Sequence, residues 1–226
     1  KLQILFNSKS RLYIIDRLGR WVEDYPKLLS FQATNGHALF DYANNRNYRI
    51  LIAGDDGMLY NFDKKAKAVS GWKFKKTNSK LGEPVKHFVQ NGKDYILYTS
   101  KDKNTQLLAR NGTKRVSYSS IPIFNAADLQ IDKNGTLYGI TNEGKLWRAK
   151  IDGNATELPL SGLILNSKFL ITDNNLIYSN DKTVFVLDKK FELLHTFNVA
   201  DKVEEISHYN GNLVIKTTTA IYVCKD

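Results

Sequence analysis

The sequence predicts an all-β fold, and two observations lead to that prediction. No stretch of ten or more residues shows the 3.6-residue apolar period of an amphipathic helix. Short windows rich in β-branched and aromatic residues recur along the chain instead, separated by polar turn residues. The 226 residues are 42% hydrophobic and 25% charged, so we expect the chain to fold around a proper core.

One short sequence motif, which consists of two or three apolar or aromatic residues followed by a polar turn, occurs six times. The second residue of each motif serves as a marker, and the markers are Tyr13, Tyr60, Leu108, Trp147, Phe185 and Tyr222. Successive markers lie 47, 48, 39, 38 and 37 residues apart. Four short antiparallel strands that repeat at such a distance are typical of the blades of a β-propeller.

Each repeat is expected to hold four strands. The first is predicted at residues 38–40, 86–89, 128–131, 169–171 and 205–207. The second, more apolar, is predicted at residues 4–6, 50–52, 96–98, 137–139, 177–179 and 213–215. The third is the marker motif, and polar breaks such as 55–57 and 142–144 form hairpin turns before it. A weaker fourth strand is predicted at residues 20–22, 69–74, 114–116 and 193–197.

These strands predict a β-propeller of about six four-stranded blades, with residues 1–226 as a single domain. The chain opens on the second strand of one blade and closes on the third strand of another, so the first and last blades are expected to be incomplete. A ring of seven or eight blades, partly missing upstream of Lys1, is the alternative. A β-sandwich or a β-helix with accidental spacing is disfavoured, because a sandwich does not keep one period through six units.

Two segments carry a resemblance to a known group of propellers. In residues 12–21 and 59–72 a strand, a turn with Asp and Gly, and a Trp follow in order, which resembles the repeat of quinoprotein-like propellers (PQQ-like or WD40-like). Residues 40–72, with Ser70-Gly71-Trp72, also resemble uncharacterised propeller proteins of the bacterial cell envelope. The resemblance implies the fold and a location in the envelope or periplasm. The units at residues 107, 184 and 221 lack the Trp, so no quinone or other cofactor is predicted.

Positive charge is concentrated in one part of the sequence. Residues 64–115 hold 14 Lys and Arg against 3 Asp and Glu, a net charge of +11, while the whole chain carries +10 and the remainder therefore −1. These residues fall on two adjacent predicted blades. They can form one positive sector that attracts an anionic polymer or an acidic protein.

The candidate binding residues come from this sector and from an apolar loop that follows it. Trp72 and Phe74 alternate with Lys73 and Lys75, so the rings are expected to face inward and the lysines outward. That pattern fits either a solvated outer strand or an anion site, and it disfavours nucleic acid, which needs exposed rings beside the charges. The candidates are Lys73, Lys75, Lys76, Lys80, Lys101, Lys103, Tyr118 and Phe124.

Catalytic and metal-binding patterns are weak. The only cysteine, Cys224, excludes an internal disulfide and a multi-cysteine zinc site. Residues 132–135 begin like a calcium loop but lack the later oxygen donors, so a hairpin turn is predicted there. No Gly-x-Ser-x-Gly elbow or phosphate loop occurs, no metal site is predicted, and no apolar run is long enough to span a bilayer.

The predicted function is a non-enzymatic β-propeller scaffold that presents a loop face to a protein or anionic partner. One alternative is an enzyme of glycosidase or lyase type, with its site at the mouth of the propeller channel. Another is polyanion binding through the basic sector of residues 64–115. A cluster of convergent ionisable residues at the mouth of the channel would favour the enzyme.

Overall fold

A computed structural model describes residues 2–81, 84–101, 105–118, 129–141, 143–158, 160 and 167–225. Within these ranges every regular element is a β-strand, which confirms the all-β prediction. The strands form six small antiparallel sheets, in which each strand pairs with its neighbours in sequence. The chain divides into two compact units, residues 1–119 and 120–226, with three sheets in each. That residues 1–226 form one propeller domain stays a prediction.

The first unit holds sheets 1 to 3. Sheet 1 consists of β1 (Gln3–Asn7), β2 (Arg11–Asp16) and β3 (Lys27–Leu28). Sheet 2 consists of β4 (Ala38–Phe40), β5 (Arg49–Ala53) and β6 (Leu59–Phe62). Sheet 3 consists of β7 (Lys86–Gln90), β8 (Lys93–Thr99), β9 (Thr105–Leu108) and β10 (Lys114–Tyr118).

The second unit holds sheets 4 to 6. Sheet 4 consists of β11 (Gln130–Ile131), β12 (Leu137–Ile140), β13 (Leu146–Ala149) and β14 (Ala155–Leu158). Sheet 5 consists of β15 (Phe169–Ile171), β16 (Leu176–Asn180), β17 (Thr183–Leu187) and β18 (Leu193–Asn198). Sheet 6 consists of β19 (Val203–Tyr209), β20 (Asn212–Thr217) and β21 (Ile221–Lys225).

Within each unit the middle sheet is buried on both faces. In β5, Ile50 and Ile52 pack with residues of sheet 1, while Leu51 and Ala53 pack with residues of sheet 3. Successive side chains of a strand point to opposite faces, so four consecutive apolar residues supply two cores. Ile177 of β16 repeats this arrangement, because it packs toward sheet 6 and both of its neighbours pack toward sheet 4. Within each unit, sheets that follow one another along the chain therefore stack face to face.

Eight tight loops among the described residues share one hydrogen-bond pattern. The N–H of the first residue donates to the carbonyl of the fifth, and the N–H of the fourth donates back to the carbonyl of the first. The first residues are Asp16, Gly54, Asp63, Ala109, Asp132, Thr141, Lys150 and Asp188. The fourth residue is left-handed in every one, and it is glycine in all but two, Ala66 and Phe191. The predicted hairpin at Asp132 is such a loop, since its Oδ1 accepts the N–H groups of Asn134 and Thr136.

Two of the predicted fourth strands are wrong. Residues 20–22 keep a single bridge at Trp21, and a left-handed Glu23 then turns the chain, so Lys27–Leu28 completes sheet 1 instead. Residues 69–74 lie outside any strand, because left-handed Gly71 breaks the extended backbone and Lys73 bonds to Asn111 of sheet 3. The fourth strands predicted near 114–116 and 193–197 are confirmed as β10 and β18. Among the described residues, three sheets have four strands and three have three.

Candidate anion-binding groove

A lysine-rich segment, residues 72–78, is held against sheet 3 by its backbone and by one ring. The N–H of Lys73 donates to the carbonyl oxygen of Asn111 at 2.8 Å. Phe74 is only 7% exposed and meets the ring of Tyr98 edge-on, with 5.4 Å between the ring centroids. Burial of Phe74 turns its two neighbours, Lys73 and Lys75, toward solvent. The alternation in the sequence thus corresponds to the burial pattern, although the segment is not a sheet strand.

The far end of the segment is fixed by a close approach to a glycine. Thr77 donates to the carbonyl oxygen of Gly57 through its N–H at 3.0 Å and through its hydroxyl at 2.9 Å. A Cβ on Gly57 would collide with the carbonyl oxygen of Thr77. Gly57 also has a φ of 82°, which glycine adopts without strain. The lysines between these two anchor points therefore sit on a fixed backbone.

A groove of about 580 Å³ runs along this segment, and we call it the basic groove. Its cations are Lys73, Lys75 and Lys76 of the segment and Lys114, the first residue of β10. All four side chains are exposed. Within the described residues, no carboxylate forms an ion pair with any of them. The groove therefore carries at its rim four positive charges that no described carboxylate pairs with.

The other predicted binding residues divide into three groups. Lys80 and Lys101 are exposed and adjacent, because the N–H of Lys101 donates to the carbonyl of Lys80 at 2.8 Å, but they do not line the groove. Tyr118 is 2% exposed and so offers no surface. Lys103 and Phe124 lie outside the described residues.

A second cleft, of about 440 Å³, lies beside the groove and shares Thr113 with it. We call it the arginine cleft, after Arg49, Arg110 and Arg115 in its lining. Sequence reasoning missed this site and also Lys114 of the groove. Arg110, Lys114 and Arg115 belong to the basic sector, but only the register of β9 with β10 and the loop at Asn111 bring them together. Arg49, on β5, lies outside that sector.

Tyr42 lies in the arginine cleft with its hydroxyl buried. The guanidinium Cζ of Arg110 stands 4.6 Å from the centroid of the Tyr42 ring, a cation–π distance. Burial raises the pKa of the Tyr42 hydroxyl well above its ordinary value, and the charge of Asp94 raises it further, while Arg110 and Arg49 lower it. The Tyr42 hydroxyl is therefore protonated, and a potential hydrogen-bond donor, at neutral pH.

The described residues contain no group of three His, Cys, Asp or Glu side chains that could hold a metal ion. His87 lies 2.8 Å from Asp94 through its Nε2, and His37 lies 3.0 Å from Asn7 through its Nδ1. Across the described part of the chain, no helix has the length and apolarity required to cross a lipid bilayer.

Comparison with known proteins gives structural likeness without sequence likeness. No protein-family model and no curated protein matches the sequence. The crystal structure of the computationally designed Ika8 protein aligns with a TM-score of 0.67 and 15% identity, over 100% of this chain and 69% of that chain. The crystal structure of BBS1N in complex with ARL6DN, soaked with lead, aligns with a TM-score of 0.63 and 14% identity, over 98% of this chain and 73% of that chain.

A second crystal of that complex, soaked with mercury, aligns with a TM-score of 0.64 and 12% identity over the same shares of the two chains. BBS1N is a β-propeller. At sequence identities this low, the likeness shows a similar fold and says nothing about function. The six antiparallel sheets, their face-to-face stacking within each unit and this likeness together show that the chain has a β-propeller-like fold.

Proposed function

We propose that this protein is a non-enzymatic β-propeller scaffold that binds an acidic segment of a partner protein in its basic groove. The observation that carries the proposal is the groove itself, where four exposed lysines converge and no carboxylate of the described residues pairs with them. Unpaired cations on a rigid surface attract negative charge and speed encounter with an acidic partner.

An acidic polypeptide suits the groove better than a single-stranded nucleic acid. The aromatic rings that line it, Phe74 and Tyr98, are 7% and 4% exposed, so they offer no face on which a base could stack. Carboxylates need no such face, because ammonium groups bind them as point charges. The propeller neighbour BBS1N is itself seen in complex with a protein, ARL6DN, which supports a binding role for this fold.

The envelope location and the quinoprotein-like type of repeat, which the resemblance implies, belong to the same proposal. A scaffold in the cell envelope would meet acidic segments of other proteins there. Neither feature is needed for the groove to bind, and the binding experiment below does not depend on them.

The test is binding of a labelled polyglutamate peptide, compared with heparin and with single-stranded DNA, at about 50 and about 200 mM salt. We expect saturable binding of the peptide that weakens with salt and is lost when Lys73, Lys75 and Lys76 are changed to Glu. The control changes Lys190, Lys202 and Lys225, exposed lysines of the second unit, to Glu and shifts the net charge equally. Equal loss in both variants, or DNA binding stronger than peptide binding, would overturn the proposal.

A further inference from the structure

The arginine cleft has the features of a built ligand site. Its lining includes three guanidinium groups, from Arg49, Arg110 and Arg115, together with the side chains of Asn61, Trp72 and Tyr42. Its volume of about 440 Å³ falls in the range of small-molecule sites. The cleft belongs entirely to the first unit and is separate from the proposed function of the basic groove.

The guanidinium groups have no anionic partner in the part of the chain that the structure describes. Within the described residues, no carboxylate forms an ion pair with Arg49, Arg110 or Arg115. Asp94, the acidic residue whose charge reaches Tyr42, is engaged with His87 at 2.8 Å. Arg49 is oriented by its Nη1, which donates to the Asn47 side chain at 2.8 Å. The three guanidinium groups therefore present free donors suited to bidentate contact with a carboxylate or phosphate.

Two neutral polar groups of the same cleft lack hydrogen-bond partners. Asn61, on β6, is only 5% exposed, and its side-chain Oδ1 is buried without a partner in the described part of the chain. The hydroxyl of Tyr42 is likewise buried and unpartnered. A buried polar group without a partner costs free energy, so its presence in a cleft points to a ligand that satisfies it. A hydroxyl both donates and accepts, and it can therefore pair with Asn61 and Tyr42 alike.

Trp72 supplies a fixed apolar wall. Its Nε1 donates to the carbonyl oxygen of Leu59 at 2.7 Å, and its ring packs so closely on Gly112 that a Cβ there would stand 2.9 Å from it. The indole is thus held in one orientation in the lining of the cleft. A rigid ring beside polar groups suits a ligand with both a hydrocarbon face and hydroxyls, as a sugar ring has.

We propose that the arginine cleft binds a small hydroxylated anion of the sugar acid or sugar phosphate class. The carboxylate or phosphate lies at Arg49, Arg110 and Arg115, and a hydroxyl reaches Asn61 and Tyr42. The same chemistry is offered by a free monosaccharide and by the terminal unit of an acidic polysaccharide, and the two sources are separated by experiment.

The test is calorimetric titration of the whole chain with glucuronate, glucose 6-phosphate, an acidic oligosaccharide, glucose and inorganic phosphate. We expect saturable binding of a sugar anion, with glucose and inorganic phosphate each at least about tenfold weaker, because each offers only part of the contacts. If the natural ligand is a free monosaccharide, the oligosaccharide should bind no more tightly than the monosaccharide. If the natural ligand is the terminal unit of an acidic polysaccharide, the oligosaccharide should bind more tightly than the monosaccharide.

Variants separate the two halves of the cleft. Arg110→Gln and Arg115→Gln are exposed changes that should preserve the fold, and each should weaken the sugar anion by about tenfold or more. Asn61→Leu should weaken the sugar anion and leave inorganic phosphate unaffected; if this variant does not fold, Tyr42→Phe makes the same comparison. The Lys73, Lys75 and Lys76 triple variant should bind the sugar anion with unchanged stoichiometry. No saturable binding of any sugar anion up to about 10 mM, or equal affinity for inorganic phosphate, would overturn the proposal.

Discussion

The backbone N–H of Lys73 donates to the carbonyl oxygen of Asn111 at 2.8 Å, across 38 residues of sequence. This bond joins the lysine-rich segment that follows sheet 2 to the hairpin between β9 and β10 of sheet 3. It lies where the basic groove and the arginine cleft adjoin, since both are lined in part by the loop at Asn111–Thr113. The packing of this hairpin on the segment therefore sets the geometry of both candidate sites.

Gly112 is expected to be the most sensitive position of that hairpin. A Cβ there would lie 2.9 Å from the Trp72 ring and 3.0 Å from the backbone nitrogen of Phe74, and the φ of 84° adds strain. Gly112→Ala should lower the free energy of unfolding by about 2–4 kcal/mol. The matched control is Gly71→Ala, where φ is 77° but the space is open, so about 1 kcal/mol is expected. If urea unfolding shows that Gly112→Ala and Gly71→Ala lower the free energy of unfolding equally, the expected collision of a Cβ at position 112 with Trp72 is contradicted.

Ala66 occupies the left-handed position that glycine fills in most of the related loops. Its φ is 59°, so Ala66→Gly relieves backbone strain and should raise the free energy of unfolding by up to about 1 kcal/mol, after the entropy that glycine adds to the unfolded chain. Ala68→Gly, two residues on and exposed, has no such strain to relieve and should destabilise. The comparison is made by chemical denaturation, and opposite signs for the two variants are the expected result.

Asp132 should act through its turn and not through a metal. Its Oδ1 accepts the N–H groups of Asn134 at 2.8 Å and Thr136 at 2.9 Å. Asp132→Ala removes both bonds and should cost about 1–2 kcal/mol, whereas Asp132→Asn keeps an acceptor oxygen and should cost less. Added calcium should leave the melting temperature of all three proteins unchanged. A calcium-dependent rise in the wild type that is absent from the alanine variant would contradict the hairpin interpretation.

His37 should make the fold weaker in mild acid. Burial holds the pKa of His37 below its ordinary value of 6.5, and its Nδ1 faces Asn7 Oδ1 at 3.0 Å. Below pH 6.5 His37 therefore binds protons more readily in the unfolded chain than in the folded one. The contribution of neutral His37 to the free energy of unfolding is present in full above that pH and is lost as the pH falls toward the folded pKa. His37→Gln should flatten this part of the curve of unfolding free energy against pH. The exposed His195 serves as control, and His195→Gln should retain the wild-type slope.

The second and third strands of the repeats were predictable because apolar and aromatic residues dominate them. The markers Tyr60 and Phe185 lie in β6 and β17, and the residues on either side of each marker are buried. The fourth strands were less predictable, because their pairing depends on what the connecting segment meets. At residues 69–74 the decisive partner is Asn111, and nothing local to the segment indicates that bond.

The candidate sites show the same division. Alternation of rings and lysines around Phe74 was enough to predict that Lys73 and Lys75 face solvent. Lys114 and Arg115 line the two sites because of the register of β10 and the packing of its sheet, and neither can be predicted from the order of residues alone. Tyr118 is predicted on a binding surface because it begins an apolar loop, but it ends β10 and its side chain is buried.

The shared hydrogen-bond pattern of the eight described loops makes interchangeable parts of those that lie away from the two candidate sites. A five-residue loop that closes on its own backbone needs little from its surroundings, so its sequence can be exchanged between positions without disturbing the strands on either side. Grafting the loop at 132–136 onto the position of 63–67 would bring in Gly135 where Ala66 now stands. The loop at 109–113 is unsuited to such exchange because Arg110, Asn111 and Thr113 line the candidate sites, and so is the loop at 54–58 because Gly57 packs against Thr77. The other six described loops are thus the places where new binding sequences can be inserted while the lysine and arginine sites stay unchanged.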